Sequence, residues 1–342
     1  MSTKILVTGG TGFIGSHTVV ELYNAGYTPV IIDDLSNSSV KILDQIEKII
    51  GMKPEFHQFD LCDQNKVNDF VAANPDIKGI IHFAAFKAVG ESVQKPLEYY
   101  RNNFFSLINL LAAYKGKPIN FVFSSSCTVY GQPDVLPVTE AAPVKKAESP
   151  YGNTKQIAEE ILAETAAVSK NYNIVALRYF NPVGAHESAL IGELPIGVPQ
   201  NLVPFITQTA IGKRDKITVF GNDYDTADGS CVRDYIHVVD LANAHVAAIK
   251  RMEEGKSKAN YEVYNIGTGK GTTVLEVIHA FEDSTGEKLN YMIGPRRAGD
   301  IEKVYGDATK STKELGWTAE LNIEDMMKSA WEWEKYIKNN PF

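Results

Sequence analysis

The stretch KILVTGGTGFIGSHTVVELYNAG, residues 4–26, decides the fold of this chain. It predicts a buried strand, a glycine-rich turn and then a helix with an apolar face. Gly9, Gly12 and Gly15 follow one another at three-residue spacing in the turn. In such a turn the first glycine permits the tight bend, the second admits a pyrophosphate to the backbone, and the third lets the helix pack on the sheet. A tight turn without a ligand is the alternative, so the next strand matters.

That next strand, YTPVIIDD, reaches Asp33 at its end. A carboxylate at this position accepts hydrogen bonds from a ribose diol and repels a 2′-phosphate. Because the residues that follow, DLSNSS, contain no arginine, the pattern predicts NAD rather than NADP. Asp60 ends a third strand, PEFHQFD, and is a candidate for bonding the adenine. An aspartate that caps a turn is an equally good interpretation of Asp60.

Strands and helices continue to alternate as far as Phe180. This alternation predicts an α/β fold: a Rossmann-like doubly wound parallel sheet with helices on both faces. Beyond Phe180 the sequence is rich in Gly and Pro and then gives shorter strands and helices, which predicts a smaller mixed α/β substrate-binding domain. We therefore expect an NAD-binding domain over residues 1–180 and a substrate-binding domain over residues 181–342, with segments that can interleave.

The 342 residues carry a net charge of −8 and a pI of about 5.5. This acidic balance argues against nucleic acid or an anionic membrane as a partner, because both require basic surfaces. Three cysteines without metal-site spacing fit a reducing compartment and no bound metal. Since the N-terminus shows no leader pattern and no apolar run reaches membrane length, the sequence predicts a soluble cytoplasmic protein.

A second informative stretch is SPYGNTKQIAEE, residues 149–160. Ser149 has the character of a helix N-cap, and Pro150 suits the first helical position. Tyr151 and Lys155 would then lie one turn apart on the same helix face. Taken alone, the pair could equally be two solvated side chains, so it needs support from elsewhere in the chain.

That support comes from a resemblance. The glycine spacing, the serines of SSS (residues 124–126) and the Y-x-x-x-K pair together resemble the extended short-chain dehydrogenase/reductase family. Further blocks resemble one branch of it, the UDP-glucose 4-epimerase (UDP-galactose 4-epimerase) family. These blocks are HFAAFKAVGESVQKPLEYY, RYFNPVGAH, FGNDY, VRDYIHVVDLA, YNIGTG and RRAGD. The resemblance extends from Lys4 to about Trp333.

The resemblance implies that Ser126, Tyr151 and Lys155 are catalytic. Tyr151 would remove the proton from the hexose O4 as a phenolate, with Lys155 and a positively charged nicotinamide favouring its ionisation. Hydride would pass from C4 to NAD, the 4-keto sugar would turn over while the UDP stays bound, and hydride would return to the opposite face. The implied activity is that of an isomerase that interconverts UDP-galactose and UDP-glucose and retains its NAD.

The resemblance also implies the ligand contacts. Those expected for NAD are Gly9, Gly12, Phe13, Ile14, Gly15, Asp33, Asn37, Asp60, Leu61, Phe83, Ala84, Lys87, Asn102, Ser124, Tyr151, Lys155 and Phe180. Those expected for the UDP-hexose substrate are Ser126, Tyr151, Asn181, Asn201, Leu202, Phe220, Arg233, Tyr235, Arg297, Asp300 and Val304. The two arginines would neutralise the diphosphate, because guanidinium groups match phosphate oxygens. For any single one of these residues, a surface salt bridge or a loop cap is the alternative.

Val304 bears on the choice of sugar. In the family this position holds either a bulky aromatic or a small residue near the C2 substituent of the hexose. A valine would leave room for an N-acetyl group, so we expect activity on UDP-GalNAc and UDP-GlcNAc as well. Tyr305 could fill the slot instead if the register moves by one residue.

Three other functions have to be weighed. A nucleotide-sugar 4,6-dehydratase would carry an Asp-Glu pair after the serine, where this chain has Cys127 and Thr128. A UDP-glucuronate-type 4-epimerase would need a cation for the carboxylate. A non-catalytic NAD-sensing regulator commonly lacks the tyrosine or the lysine.

The sequence also predicts a homodimer. Apolar stripes mark the helices near 97–114 and 150–169, and these helices pair between subunits in the family. Covering the sheet would also explain the stripes.

Overall fold

The computed structural model of the protein describes residues 2–297 and 301–342. Its strands in chain order are β1 (Lys4–Thr8), β2 (Thr28–Asp33), β3 (Glu55–Gln58), β4 (Ile77–His82), β5 (Ile119–Ser124), β6 (Tyr172–Tyr179), β7 (Asn181–Val183), β8 (Ile217–Phe220), β9 (Val232–His237), β10 (Tyr261–Ile266), β11 (Gly271–Thr273), β12 (Tyr291–Gly294) and β13 (Lys303–Val304). Its helices are α1 (Phe13–Asn24), α2 (Lys41–Ile50), α3 (Gln64–Ala73), α4 (Val89–Gln94), α5 (Pro96–Ala113), α6 (Pro150–Val168), α7 (Leu202–Ala210), α8 (Val238–Glu253), α9 (Val274–Thr285), α10 (Thr309–Leu315) and α11 (Ile323–Asn339).

The central sheet has seven strands in the order β10-β6-β5-β4-β1-β2-β3, and neighbouring strands run parallel. The order reverses direction at β1 and β4, so the carboxyl ends of these two strands open a crevice of the kind in which open α/β sheets bind ligands. β10 lies beyond residue 180 and forms the edge strand beside β6. The predicted Rossmann-like fold class is confirmed, while the domain limits stay a prediction.

Two apolar cores cover the two faces of this sheet, and β1 contributes to both. Ile5 and Val7 belong to the core that contains α1 and α8, whereas Leu6 belongs to the core that contains α3, α5 and α6. All three side chains are fully buried. Successive side chains of a strand point to opposite faces, so a strand buried on both faces is apolar throughout. This is why the opening strand contains no polar alternation.

A smaller mixed sheet and a third core form the remainder of the molecule. β9 pairs in parallel with β7 and β13 and antiparallel with β11, and β8 pairs with β12. The core beside this sheet is built largely from α7, α9 and α11. β7 follows β6 after one residue, Phe180, so the chain passes directly from the central sheet to the smaller sheet.

The helices for which pairing between subunits was predicted pack against each other within the chain. α5 contacts α6, and the outer face of α5 leaves Leu97, Phe105 and Ile108 exposed by 81%, 48% and 42%. The homodimer stays a prediction. Over the residues described, no helix has both the length and the apolar character that crossing a membrane requires.

Candidate active site

The glycine turn is built as the spacing predicts. Gly9 has a φ of 70°, and a Cβ there would lie 2.9 Å from the amide nitrogen of Ala84. A Cβ on Gly15 would collide with the carbonyl oxygen of Gly9. Gly12 is the N-cap of α1 and makes no side-chain capping bond, and the first turn of α1 contains no acidic residue. The positive end of this helix is therefore left for an anion, which fits the pyrophosphate of a dinucleotide.

Asp33 ties the end of β2 to the glycine turn. Its Oδ2 accepts a hydrogen bond from the backbone N–H of Thr11 at 3.2 Å, and its Oδ1 accepts from the N–H of Leu35 at 2.9 Å and from the hydroxyl of Ser38 at 3.2 Å. The carboxylate is thereby fixed beside the helix N-terminus while one side of it stays partly exposed. This orientation fits a ribose diol and disfavours a 2′-phosphate.

The three predicted catalytic side chains come together where β5 ends and α6 begins. The Ser149 hydroxyl accepts from the N–H of Gly152 at 3.1 Å, which confirms the predicted N-cap. One turn into α6, Lys155 donates to the carbonyl of Ser124 at 2.7 Å, and its Nζ lies 5.9 Å from the ring centroid of Tyr151. Ser126 begins the short 3₁₀ turn Cys127–Tyr130, in which its hydroxyl accepts from a backbone N–H. All three are buried.

Burial governs the electrostatics of this group. It raises the pKa of Tyr151 well above its usual value, and the Ser126 hydroxyl only partly opposes the rise. Burial also lowers the pKa of Lys155 to about 8, against the opposing attraction of Glu159. Burial disfavours the charged form of both groups. Among the protein's own groups, burial therefore dominates and favours the neutral phenol of Tyr151.

The structure also gives the surroundings of the remaining expected cofactor residues. Phe83 continues β4, with its N–H donating to the carbonyl of Thr8 at 3.0 Å, and Phe180 directly follows β6 and is buried. The carboxylate of Asp60 accepts from the N–H of Cys62 at 2.8 Å, which is the turn-capping interpretation. The others are Phe13 and Ile14, which begin α1; Leu61, in the core; Asn37, exposed; Ala84, beside the Gly9 turn; and Asn102, bonded through its Nδ2 to Asn103.

The smaller sheet gathers several of the expected substrate residues. Arg233 on β9 pairs in register with Val304 of β13, and Tyr235, two residues on, pairs with Asn181 of β7. Arg233 also lies near enough to Cys127 to lower the pKa of that thiol, which burial raises to about 12. The predicted phosphate arginine is therefore next to the turn that contains Ser126.

Other expected substrate residues lie around the rim. The Arg297 guanidinium lies 5.4 Å from the ring centroid of Phe220, which is 41% exposed. Asn201 and Leu202 begin α7, and the side-chain amide of Asn201 donates to Glu193 at 2.6 Å. Lys87 bonds the same Glu193 oxygen at 3.4 Å. Asp300 lies outside the described residues.

Nearly the whole chain is similar in sequence to known proteins. A family model described as GDP-mannose 4,6 dehydratase matches residues 6–330. The UDP-glucose 4-epimerase of Haemophilus influenzae is 50% identical over 338 residues, which cover 98% of each chain. The human UDP-glucose 4-epimerase is 46% identical over 342 residues, covering 98% of this chain and 97% of that protein. This chain belongs to the UDP-glucose 4-epimerase family. The predictions of family and of enzyme class are confirmed.

Solved structures of UDP-glucose 4-epimerases have the same fold. The enzyme from Stenotrophomonas maltophila, solved with NAD and formylated UDP-arabinopyranose, superposes with a TM-score of 0.95 at 45% identity and covers 99% of both chains. The enzyme from Bifidobacterium longum, solved with NAD⁺ and UDP, gives 0.93 at 48% identity and covers 98% of this chain and 99% of that one. NAD, the cofactor predicted here, is thus present in both of these epimerases.

Sequence reasoning missed buried residues that organise this epimerase site. Asp234, which lies between Arg233 and Tyr235 in the chain, is fully buried. Its carboxylate accepts hydrogen bonds from the N–H groups of Thr268, Gly269 and Gly306. These bonds join β9 to the loops after β10 and β13. Asn103 bonds both the N–H and the carbonyl of Phe86 and also Thr154 of α6. In the sequence each is a polar residue beside an apolar run, a pattern that does not identify its partners.

Proposed function

We propose that this protein interconverts UDP-galactose and UDP-glucose by inverting the configuration at C4 of the hexose, with NAD retained through turnover. One observation carries the proposal. A phenol, an ammonium and a hydroxyl, those of Tyr151, Lys155 and Ser126, form one buried group at the carboxyl end of the sheet in a chain of the epimerase family. Buried groups with displaced pKa values in a crevice are suited to proton transfer.

In this proposal Tyr151 removes the proton from the hexose O4 and later returns it, while Ser126 hydrogen-bonds the same hydroxyl. Because burial raises the pKa of Tyr151, its ionisation depends on positive charge held against it. Lys155 provides such a charge as long as its ammonium is protonated, and its bond to the Ser124 carbonyl fixes the direction of its Nζ. NAD, when bound, supplies the acceptor and donor of hydride at C4.

The residues that would hold NAD and UDP fit their ligands in different ways. Gly9, Gly12 and the uncapped N-terminus of α1 would hold the pyrophosphate of NAD, and Asp33 the adenosine ribose. Arg233 and Arg297 would bind the diphosphate of the substrate. Clamping the nucleotide and leaving the hexose loosely held allows the sugar to present either face to Tyr151.

The test is conversion of UDP-galactose by the purified protein without added NAD. We expect UDP-glucose to accumulate to equilibrium, because retained NAD needs no external oxidant. Absence of conversion both with and without added NAD would refute the proposed reaction. Conversion only after NAD is added would refute the retention of the cofactor and leave the reaction intact.

The residues around Ser126 support one rival reaction less well, and the assay separates the others. A 4,6-dehydratase needs acidic groups directly after the serine, but here Cys127 and Thr128 form the 3₁₀ turn. A UDP-glucuronate-type 4-epimerase needs a cation for the sugar carboxylate, and the same assay with UDP-glucuronate tests for it. A non-catalytic NAD sensor would give no conversion of any UDP-sugar.

We also propose that the enzyme accepts the N-acetylated pair, UDP-GalNAc and UDP-GlcNAc. Val304 is 5% exposed and pairs with Arg233, the proposed phosphate ligand, which is consistent with a position beside the sugar. Val304→Tyr should lower kcat/KM for the N-acetylated pair about tenfold or more, because added bulk in a packed site is poorly tolerated. The UDP-hexose pair should change by less than about threefold. Tyr305→Phe is the control for a shifted register, and equal activity of Val304→Tyr on the N-acetylated pair would refute the idea.

A further inference from the structure

The three consecutive serines 124–126 each have a different partner. The Ser124 hydroxyl bonds the Tyr179 hydroxyl at 2.6 Å, and the Ser124 carbonyl accepts from Lys155. Ser125 donates to Glu159 at 2.5 Å. The Ser126 hydroxyl accepts from the N–H of Thr128 at 3.2 Å and lowers the pKa of Tyr151. The proposed reaction uses Ser126 and leaves the bond of Ser125 to a buried carboxylate unexplained.

Glu159 forms one half of a buried ion pair. Arg178 of β6 donates to it through Nε at 2.9 Å and 3.2 Å and through Nη2 at 2.6 Å. The side chains are 8% and 7% exposed. The other terminal nitrogen of Arg178 donates to the Tyr130 hydroxyl at 3.1 Å, and Tyr130 in turn donates to Asn265 of β10 at 2.6 Å. Ser125 and Tyr130 therefore bond opposite members of one ion pair.

These two bonds hold the segment 125–130 at both ends. Ser126 lies at the start of this segment, and Glu159 lies one helical turn after Lys155 on α6. We propose that the Glu159–Arg178 pair is a positioning unit for the active site, which sets the Ser126 hydroxyl and the Lys155 ammonium against Tyr151. This inference rests on the proposed epimerase function. A purely structural role, in which each charge only neutralises the other, is the competing explanation.

The charges around Lys155 make the two explanations distinguishable. On α6, the helix of Lys155, the Glu159 carboxylate attracts the Lys155 ammonium. Tyr151 lies on the same helix, one turn before Lys155. On β5, two groups face the Lys155 ammonium. They are the Ser124 carbonyl and the ring of Phe123, whose centroid lies 4.8 Å from Nζ. From β4, His82 is neutral, because burial and the nearby Lys155 lower its pKa to about 3. Removing the charge of Glu159 therefore removes a carboxylate that favours the ammonium.

Two substitutions separate position from charge, and the chain offers a matched control. Ser125→Ala removes only the bond from the serine segment and leaves the ion pair intact. Glu159→Gln removes the charge. The control is Glu262→Gln, which makes the same change in the Arg251–Glu262 pair. This pair is buried to a similar extent, with side chains 5% and 6% exposed. It joins α8 to β10, away from the serines.

On the holoenzyme, Ser125→Ala should lower kcat about tenfold and Glu159→Gln about a hundredfold, with KM for UDP-galactose within about twofold. Glu159→Gln should also move the alkaline limb of the kcat–pH profile down by about half a unit or more, because Lys155 loses its anion. Amide hydrogen exchange of the peptide 123–131 should become faster in both variants. Glu262→Gln should lose as much thermal stability as Glu159→Gln and keep its kcat, its pH profile and the exchange of that peptide.

The inference is overturned if Ser125→Ala and Glu159→Gln keep kcat within about twofold and leave the exchange of 123–131 unchanged. It is also overturned if Glu262→Gln loses kcat to the same extent, since the effect would then be one of stability. If Glu159→Gln does not fold, Ser125→Ala decides alone. If the parent protein has no epimerase activity, the proposed function fails, and hydrogen exchange still decides whether the pair positions the segment.

Discussion

Tyr151 has to ionise in an environment that opposes its ionisation. Burial raises its pKa, and every unit of rise costs about 1.4 kcal/mol in the phenolate that the proposed reaction needs. The compensation must come from charges placed within a few ångströms, which is why the position of the buried Lys155 ammonium matters. We therefore expect Tyr151 to contribute to the rate through its hydroxyl and not through its ring.

Tyr151→Phe tests that contribution. The substitution removes the hydroxyl and keeps the ring, so we expect kcat to fall by about 10²–10⁴ and bound NAD to be retained. The measurement is single-turnover conversion of UDP-galactose together with the NAD content of the purified protein. Tyr291→Phe, at a tyrosine 37% exposed on β12, is the control and should keep parental activity. A Tyr151→Phe enzyme as fast as the parent would leave the phenol without a role.

At the scale of elements, the turn between β1 and α1 depends on the absence of side chains. Gly15 sits where α1 crosses the carbonyl of Gly9, and no rotamer change can relieve a clash between a Cβ and backbone. The closeness of helix and strand is what brings the N-terminus of α1 to the carboxyl end of the sheet. A local packing requirement therefore creates the anion site.

Gly15→Ala should accordingly displace the start of α1, lower the free energy of unfolding by about 1–3 kcal/mol and weaken retention of NAD. Denaturant titration and the NAD content of the purified protein measure the two effects. Gly90→Ala is the control, because a Cβ there meets open space in α4. We expect it to be neutral or slightly stabilising. Parental stability and NAD content in Gly15→Ala would refute the packing role.

Local signals made some of these elements predictable. The glycine turn, the Ser149 N-cap and the apolar strands β1, β2, β4, β5 and β6 all carry their information within a few residues, and the structure contains each of them. Contacts between distant segments were not predictable. That β10 becomes the seventh strand of the central sheet, and that Glu159 meets Arg178, depend on pairing across long stretches of chain. Periodicity does not encode such partners.

At the scale of the whole molecule, buried histidines make stability depend on pH, and four of the five have large pKa shifts. Burial lowers the pKa of His17 and His82 to about 3 and that of His237 and His245 to about 4, from 6.5. Since the folded-state pKa values are depressed, the unfolded chain binds protons that the native protein does not. The stabilisation that comes from keeping these histidines neutral is therefore fully present above about pH 6.5. It is lost progressively as the pH falls from about 6.5 toward the folded-state pKa values.

Between pH 6.5 and pH 5 each histidine should cost about 1.5 kcal/mol, so the four together should lower the melting temperature by roughly 10 °C. Scanning calorimetry at a fixed NAD concentration measures the shift. His245→Asn should remove about a quarter of the pH dependence, because His245 on α8 is fully buried and its Nδ1–H donates to the carbonyl of Leu241. His279→Asn, at an exposed histidine of α9, should leave the dependence unchanged. A melting temperature that does not vary between pH 6.5 and 5 would mean that these histidines open to solvent and take up protons without unfolding the protein.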